Sequence, residues 1–339
     1  MSSLETVASI LSLKPNVAQN IIHTIQFFVP IYYQAGITCV LFSCMFETLH
    51  PLSVYGRLYS NETLIKIKTK NVLLPLVSQT FHKGTAFLFF YTIGIIVNLV
   101  TIYLSILGSY PHWSTGLLIA YQLHLTRRFY ECLFVHKFSL SAKMPLLLVL
   151  AGTGHYIFTS FAFLPVSLHL EPRFYEYKGW IDPEEEHDVT NSTLGGEIDQ
   201  LSVFIGIILF LFGNIMQYIA HLKLASLRVN KDPEEKELYP LPTQSLFKFS
   251  LTPHYTAEIA IYLGLSIARL GFECQSGFRF DSGNVPFFLR FNGLLLTLWV
   301  VTNLSTTALR TKQWYLRNAK SKEDKEKVQS IAAILPFIL

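Results

Sequence analysis

Polar side chains recur at helical spacing within one apolar stretch of the chain, residues 251–270 (LTPHYTAEIAIYLGLSIARL). His254, Glu258 and Tyr262 follow one another at intervals of four, so a helix places them on one face. Arg269 returns close to the same face. A charged side chain at bilayer depth costs roughly 2.5–3.5 kcal/mol even on insertion scales. This face is therefore predicted to line a polar interior that compensates its charges.

A second set of polar residues lies within the apolar stretch 113–136. Its members are Gln122, His124, Arg127, Arg128 and Glu131. On a helix, Glu131 meets both Arg127 and Arg128 through spacings of four and three. One alternative is that these three lie at the cytosolic end of the helix and pair or snorkel there. Five polar groups together favour a functional site, because each would otherwise need a separate explanation.

A third polar stripe lies in GNIMQYIAHLKLASLR, near the end of another apolar stretch. Asn214, Gln217, His221 and Arg228 recur there at spacings of three, four and seven. Amide, imidazole and guanidinium groups on one face suit an anionic, hydrogen-bonding ligand such as a nucleotide. Interhelical hydrogen bonds alone would explain the amides but not the arginine.

A cation, an amide and two aromatic rings follow the last apolar stretch, at Arg310, Gln313, Trp314 and Tyr315. Their position next to the membrane favours a role in the same site. The lysines farther on have a simpler explanation, since polybasic segments bind anionic headgroups with about 1 kcal/mol per charge. They are Lys320, Lys322, Lys325 and Lys327.

The composition indicates an all-α polytopic membrane protein. Hydrophobic residues make up 51% and charged residues 15% of the chain, whereas soluble domains are about 25% charged. Each of seven apolar stretches approaches the ~20 residues that cross a hydrocarbon core. They are about 21–46, 85–108, 113–136, 145–168, 198–222, 253–271 and 286–308. No basic patch with interleaved aromatic residues supports nucleic-acid binding, and the first residues lack the basic region of a cleaved signal peptide.

The charge of the loops predicts the orientation, because Lys and Arg concentrate on the cytosolic side. With the N-terminus in the lumen, most basic residues fall in loops 49–84, 137–143, 223–252 and 309–339. The opposite side holds only Lys14, Arg173, Lys178 and Arg279. We therefore expect a lumenal segment 1–20, one bundle over 21–339 and a cytosolic C-terminus. The sequon at Asn191 falls in a lumenal loop, where it can be glycosylated.

Motifs of soluble enzymes and metal sites are absent from the sequence. The four cysteines are scattered without a CxxC pair, which indicates neither a metal site nor a disulfide framework. GxGxxG after a strand, GxxxxGK[ST], HExxH and GxSxG do not occur. A nucleotide would therefore bind between membrane helices and cytosolic loops, and Gly152 to Gly154 (GTG) is interpreted as a helix-packing contact.

Three segments resemble the steroid 5α-reductase family, with a specific C-terminal block at about 200–339. They are LTPHYTAEIAIY, TALRTKQWYLR and the closing AAILPFIL. QLHLTRRFYECLFVHKFS and HPLSVYGR are similar to the polyprenol reductase branch of that family in particular. The similarity runs from about residue 50 to residue 339.

The resemblance implies a seven-span endoplasmic reticulum oxidoreductase that uses NADPH in dolichol synthesis, and so supports protein N-glycosylation. Its substrate would be a long-chain polyisoprenoid taken from the lipid bilayer, with the double bond of the α-isoprene unit reduced. Hydride addition to the β-carbon needs a group that takes up negative charge. An aldehyde provides one as an enolate that protein donors can stabilise, so polyprenal is favoured over polyprenol. Neither a nucleic acid nor an obligatory protein partner is expected.

The resemblance also implies roles for individual residues. Glu258 and His254 match positions beside the nicotinamide, and Arg228 matches a phosphate-binding arginine. Gln217 and His221 align with an asparagine and an aspartate of the steroid branch that contact the cofactor. Arg310 and Arg127 are further phosphate candidates, because planar guanidiniums pair with phosphate in two-pronged fashion. The expected catalytic residues are His124, Tyr315 and His254, with Tyr121 as another possible donor.

Two other functions remain open from the residues alone. One is an isoprenoid-directed methyltransferase that binds S-adenosylmethionine, although several arginines near the site favour the phosphates of NADPH. The other is a lipid transporter without enzymatic activity. Transporters tend to contain internal repeats or broken helices, and the sequence shows no such repeat.

Overall fold

The computed structural model describes residues 14–45, 79–165, 192–228, 241–275, 291–319 and 321–334, with the side chains of the third range from residue 197 onward. Several predictions fall outside these residues. They concern the segment before residue 14, the HPLSVYGR motif, the sequon at Asn191 and the last five residues.

Each of the seven apolar stretches coincides with a helix, and the all-α fold class is confirmed. The helices are α1 Pro15–Met45, α2 Lys83–Leu107, α3 His112–Tyr130, α4 Leu146–Ala162, α5 Ser192–Ser226, α6 Pro253–Gln275 and α7 Asn292–Arg317. A π-helical turn, Glu131–Val135, continues α3. A 3₁₀ turn, Ser245–Lys248, precedes α6, and a short helix α8, Lys322–Ser330, follows α7.

Three helices among the described residues are long and apolar enough to cross a membrane. They are Pro15–Met45, Lys83–Leu107 and Glu197–Ser226. Helix α4 is apolar but has only 17 residues. Helices α3, α6 and α7 carry the polar side chains that the sequence singled out, which lowers their mean hydropathy. A membrane protein follows from these lengths and compositions, as predicted.

Helices α5 and α6 approach each other backbone to backbone through glycines. A Cβ atom added to Gly264 would lie 2.6 Å from the carbonyl oxygen of Gly206 and 2.6 Å from the nitrogen of Phe210. A Cβ added to Gly213 would lie 2.7 Å from the carbonyl oxygen of Ala257. Only residues without a side chain permit this separation, and it brings the polar faces of the two helices together.

Short pieces of extended chain tie the ends of the helices together. Strands β1, Thr80–His82, and β2, Lys143–Pro145, pair antiparallel, with Phe81 opposite Met144. They join the start of α2 to the start of α4. A parallel bridge between Ser250 and Ala332 brings the C-terminal segment to the start of α6.

Candidate active site

The carboxylate of Glu131 is the centre of a buried polar network. Glu131 is fully buried at the π-helical turn after α3, a feature often found at functional sites. The guanidinium groups of Arg127 and Arg128 each donate to one of its two oxygens. Nδ1 of His221 lies 2.8 Å from Oε2 of the same carboxylate. The pairs expected from spacing on α3 are thus formed, inside the bundle.

Arg127 connects this carboxylate to a second one on α6. Its Nε donates to Oδ1 of Asn214 over 3.1 Å, and an Nη donates to the side-chain oxygen of Gln217. The amide nitrogen of Gln217 in turn donates to Glu258. Helices α3, α5 and α6 therefore share one hydrogen-bonded chain. Its two guanidiniums and two carboxylates balance in charge, which burial of ionic groups requires.

His124 presents an unsatisfied acceptor to Glu258. The amide nitrogen of Asn214 donates to the carbonyl of Phe210 over 2.8 Å, which orients its Oδ1 toward Nδ1 of His124 at 3.0 Å. Nη2 of Arg127, a donor, also lies 3.3 Å from Nδ1, but the contact with Oδ1 of Asn214 is shorter. We therefore assign the imidazole proton to Nδ1, so Nε2 accepts. Nε2 is buried without a hydrogen-bond partner in the described part of the chain. It lies 3.8 Å from Oε1 of Glu258.

Further imidazoles extend the network toward the start of α6. The ring centroid of His254 lies 5.6 Å from that of His221 and 4.2 Å from that of Tyr255. The ring of His136 lies 4.5 Å from that of His221, nearly perpendicular to it. Three imidazoles thus follow one another on one side of Glu131.

Glu131, His136 and His221 are close enough to bind a metal ion, since their ligand atoms lie within 4.8 Å of one another. The thiol of Cys132 is 3.6 Å from Nδ1 of His136. Both oxygens of Glu131, however, already accept hydrogen bonds from guanidinium groups. A divalent cation would have to displace Arg128 and would leave its charge uncompensated in a buried position. We therefore assign these residues to the polar network.

Comparison with known proteins shows that the C-terminal part of the chain is similar to a known family. Residues 185–339 match the family model described as 3-oxo-5-alpha-steroid 4-dehydrogenase. The matched part is slightly less than half of the chain and is similar to the steroid 5α-reductase family. The match includes α5, α6 and α7. Of these, α5 contributes Gln217 and His221 to the network, and α6 contributes His254 and Glu258. The resemblance read from the sequence motifs is confirmed.

Several relatives are polyprenal reductases. The chain is 28% identical over 240 residues to polyprenal reductase 1 of Oryza sativa subsp. indica, covering 68% of this chain and 60% of that protein. It is 30% identical over 222 residues to polyprenal reductase 2 of Arabidopsis thaliana, covering 59% and 55%. It is 26% identical over 304 residues to polyprenal reductase of Saccharomyces cerevisiae, covering 89% and 90%. The chain thus spans less than two thirds of the two plant relatives and nearly all of the yeast one.

Six of the nine site residues expected from the sequence come together in the network. They are His124, Arg127, Gln217, His221, His254 and Glu258. Their contacts bridge helices α3, α5 and α6, which are distant in the sequence.

The other three expected residues have different surroundings. Arg228 donates to the carbonyl of Lys137 over 2.8 Å, and Arg310 donates to Oγ of Ser43 over 3.2 Å. Tyr315 packs in a cluster with Leu251, Val328 and Ile331. Among their described contacts, none is with Glu131 or Glu258.

Three residues that contact the site were not predicted from the sequence. Tyr91 accepts a hydrogen bond from Nε of Arg128 over 3.1 Å, but one tyrosine in an apolar run carries no signal. His136 lies just beyond α3 and reads as an interfacial residue. His155 directly follows the GTG triplet, which was interpreted as a helix-packing contact. Nε2 of His155 lies 3.1 Å from the hydroxyl of Tyr262.

Proposed function

We propose that the protein is an NADPH-dependent reductase of the α-isoprene double bond of polyprenal in dolichol synthesis. The family match and the polyprenal reductase relatives support the reaction class. They favour it over the methyltransferase and the lipid transporter. The observation on which the proposal rests is the pair of acceptors formed by Nε2 of His124 and Oε1 of Glu258.

This pair fits the nicotinamide end of the cofactor. Two acceptors 3.8 Å apart repel each other unless a donor lies between or beside them. The carboxamide NH₂ of nicotinamide has two protons and is complementary to both. The side chain of Glu258 is 16% exposed, so it can be reached from outside the network. Gln217 holds the other oxygen of this carboxylate, which fixes its orientation.

The phosphates of the cofactor are assigned to Arg228. The guanidiniums of Arg127 and Arg128 are neutralised by buried carboxylates and hold amide and imidazole partners. Arg228 instead lies just after α5, where its guanidinium donates to the carbonyl of Lys137 and is not part of the network around Glu131. Arg310 is proposed as a second phosphate ligand; its guanidinium donates to Oγ of Ser43 on α1.

The chemistry requires a polar site beside an apolar path. NADPH, when bound, supplies a hydride. The protein orients the aldehyde, excludes water from it and stabilises the charge that develops on its oxygen. Apolar side chains on the outer face of α5, such as Phe204, Leu211 and Ile215, leave the isoprenoid tail among lipid chains. We propose seven spans in the endoplasmic reticulum membrane, with the N-terminus in the lumen and the cofactor entering from the cytosol.

The direct test uses purified protein reconstituted in lipid. Polyprenal and polyprenol are each incubated with NADPH, and the lipid products are analysed by mass spectrometry. The proposal expects a gain of two hydrogens on the aldehyde and none on the alcohol. Reduction of neither lipid, by protein that still binds NADPH, contradicts the proposal. Reduction of the alcohol alone contradicts the choice of the aldehyde.

A further inference from the structure

Tyr262 is the centre of a buried aromatic cluster next to the polar network. It is 1% exposed and lies on the same face of α6 as Glu258, one turn farther on. Its ring centroid is 6.2 Å from that of His124, 6.3 Å from that of Tyr121 and 5.5 Å from that of His155. Side chains from α3, α4 and α6 therefore enclose one hydroxyl group.

Several buried polar atoms in this aromatic cluster lack a hydrogen-bond partner. The hydroxyl of Tyr121, Nε2 of His124 and Nδ1 of His155 are all buried without a hydrogen-bond partner in the described ranges. Most buried polar side-chain atoms in native proteins are hydrogen-bonded, so each exception calls for an explanation. Three exceptions around one tyrosine indicate a ligand that brings a polar group into this cluster.

The contact between His155 and Tyr262 determines what the hydroxyl can do. Nε2 of His155 lies 3.1 Å from the hydroxyl oxygen of Tyr262. With the imidazole proton on Nε2, His155 donates to this oxygen, and the hydroxyl of Tyr262 keeps its own proton to donate to another acceptor. The same tautomer leaves an acceptor, and not a donor, unpaired at Nδ1 of His155. In this tautomer, Tyr262 is a donor whose oxygen is already held by His155.

We propose that Tyr262 is the catalytic proton donor to the aldehyde oxygen of the substrate and that His155 is its positioning residue. The inference rests on the proposed function and extends it by naming the site of the substrate headgroup. His124 cannot take this role with its proton held on Nδ1 by Asn214. Tyr262 lies on the same helix as Glu258, one turn from the proposed nicotinamide position.

As the β-carbon gains a hydride, the π pair of the carbon–carbon double bond shifts to join the α-carbon and the carbonyl carbon. The carbonyl π pair moves to oxygen, which takes the proton of Tyr262 and forms an enol. The resulting tyrosinate is stabilised by Nε2–H of His155 until water reprotonates it. The enol then gains a proton at its α-carbon and loses one from oxygen, which yields the saturated aldehyde.

The first test replaces the hydroxyl alone. Tyr262→Phe keeps the ring and is expected to lower kcat about 10²–10⁴-fold, the usual contribution of proton transfer. The dissociation constant of NADPH should stay within twofold of wild type. Tyr156→Phe is the matched control, because Tyr156 is also buried but packs against Phe90 and Tyr91. A Tyr262→Phe enzyme with kcat within threefold of wild type overturns the inference.

A second measurement needs neither turnover nor NADPH. Polyprenal labelled with carbon-13 at the carbonyl is bound to the enzyme, and its carbonyl stretch is recorded by isotope-edited infrared spectroscopy. Wild type is expected to lower this frequency relative to the lipid in bilayers, and Tyr262→Phe to restore it. Fluorotyrosine at position 262, a stronger acid, should lower it further, whereas fluorotyrosine at 156 should not. Equal frequencies in wild type and Tyr262→Phe contradict the assignment.

Variants of His155 test the positioning role. His155→Gln retains a donor near Nε2, whereas His155→Phe removes it while keeping a ring. The carbonyl shift and kcat should both fall in His155→Phe and recover in part in His155→Gln, with the KM for NADPH unchanged. Equal behaviour of the two variants argues against this role. If wild type fails to reduce polyprenal at all, the proposed function fails; if only the Tyr262 results fail, the proposed function stands.

Discussion

Nε2 of His124 and Oε1 of Glu258 lie 3.8 Å apart, two acceptors on different helices that face each other inside the bundle. Neither helix alone explains this arrangement. His124 is oriented by Asn214 on α5, and Glu258 is held by Gln217 on the same helix. Two side chains of α5, Asn214 and Gln217, therefore fix the relative positions of His124 and Glu258.

Glu258→Gln should weaken NADPH binding about 10–150-fold, which corresponds to the ~1.5–3 kcal/mol of a hydrogen bond to a charged group. The substitution keeps the shape of the side chain but removes an acceptor and a negative charge. Titration of the reconstituted protein with NADPH measures the change. Glu326→Gln is the control, because Glu326 forms an exposed pair with Lys322. Unchanged affinity in Glu258→Gln removes this residue from the cofactor site.

Glu131→Gln should destabilise the protein by about 3–5 kcal/mol, the usual result of removing one partner of a buried ion pair. It leaves two guanidiniums facing an uncharged amide. Reversible unfolding in mixed detergent, followed at several denaturant concentrations, gives the change in free energy. If Glu131→Gln is as stable as wild type, the network is not a buried ionic one in the folded protein.

Gly264→Ala should destabilise the protein by about 1–3 kcal/mol, because the new methyl group meets backbone atoms that cannot move independently. Its Cβ would lie 2.6 Å from atoms of Gly206 and Phe210. Separation of α5 from α6 should also raise the dissociation constant of NADPH. Gly116→Ala is the control, since no atom outside its own helix lies within 4 Å of the added Cβ. Identical melting temperatures for the two variants would rule out the close approach.

Thr256→Val should destabilise the start of α6 by about 1 kcal/mol, the net contribution of one hydrogen bond. The hydroxyl of Thr256 donates to the carbonyl of Ile334 over 2.7 Å, two residues after the bridge that Ala332 forms with Ser250. Hydrogen exchange should accelerate around His254 in this variant. Thr92→Val is the control, because Thr92 is exposed and bonds only within α2. Equal exchange rates in both variants would contradict a role for the C-terminal segment in holding α6.

The helices were predictable because their signal is local. Apolar runs of about 20 residues and the spacing of His254, Glu258 and Tyr262 depend on neighbours along the chain. The ends of the runs were less predictable. Helix α7 continues to Arg317, beyond the expected end at 308, so that Arg310 and Tyr315 lie on the helix.

The sequence by itself determined the all-α class, the polar faces of α3, α5 and α6, and the resemblance to the reductase family. Only the tertiary structure decided which polar side chains meet, because that depends on how closely and at what rotation the helices pack. Glycines on α5 and α6 permit the contact between Gln217 and Glu258. The packing of α4 beside α6 adds His155 to Tyr262, a relationship that no spacing along the chain records.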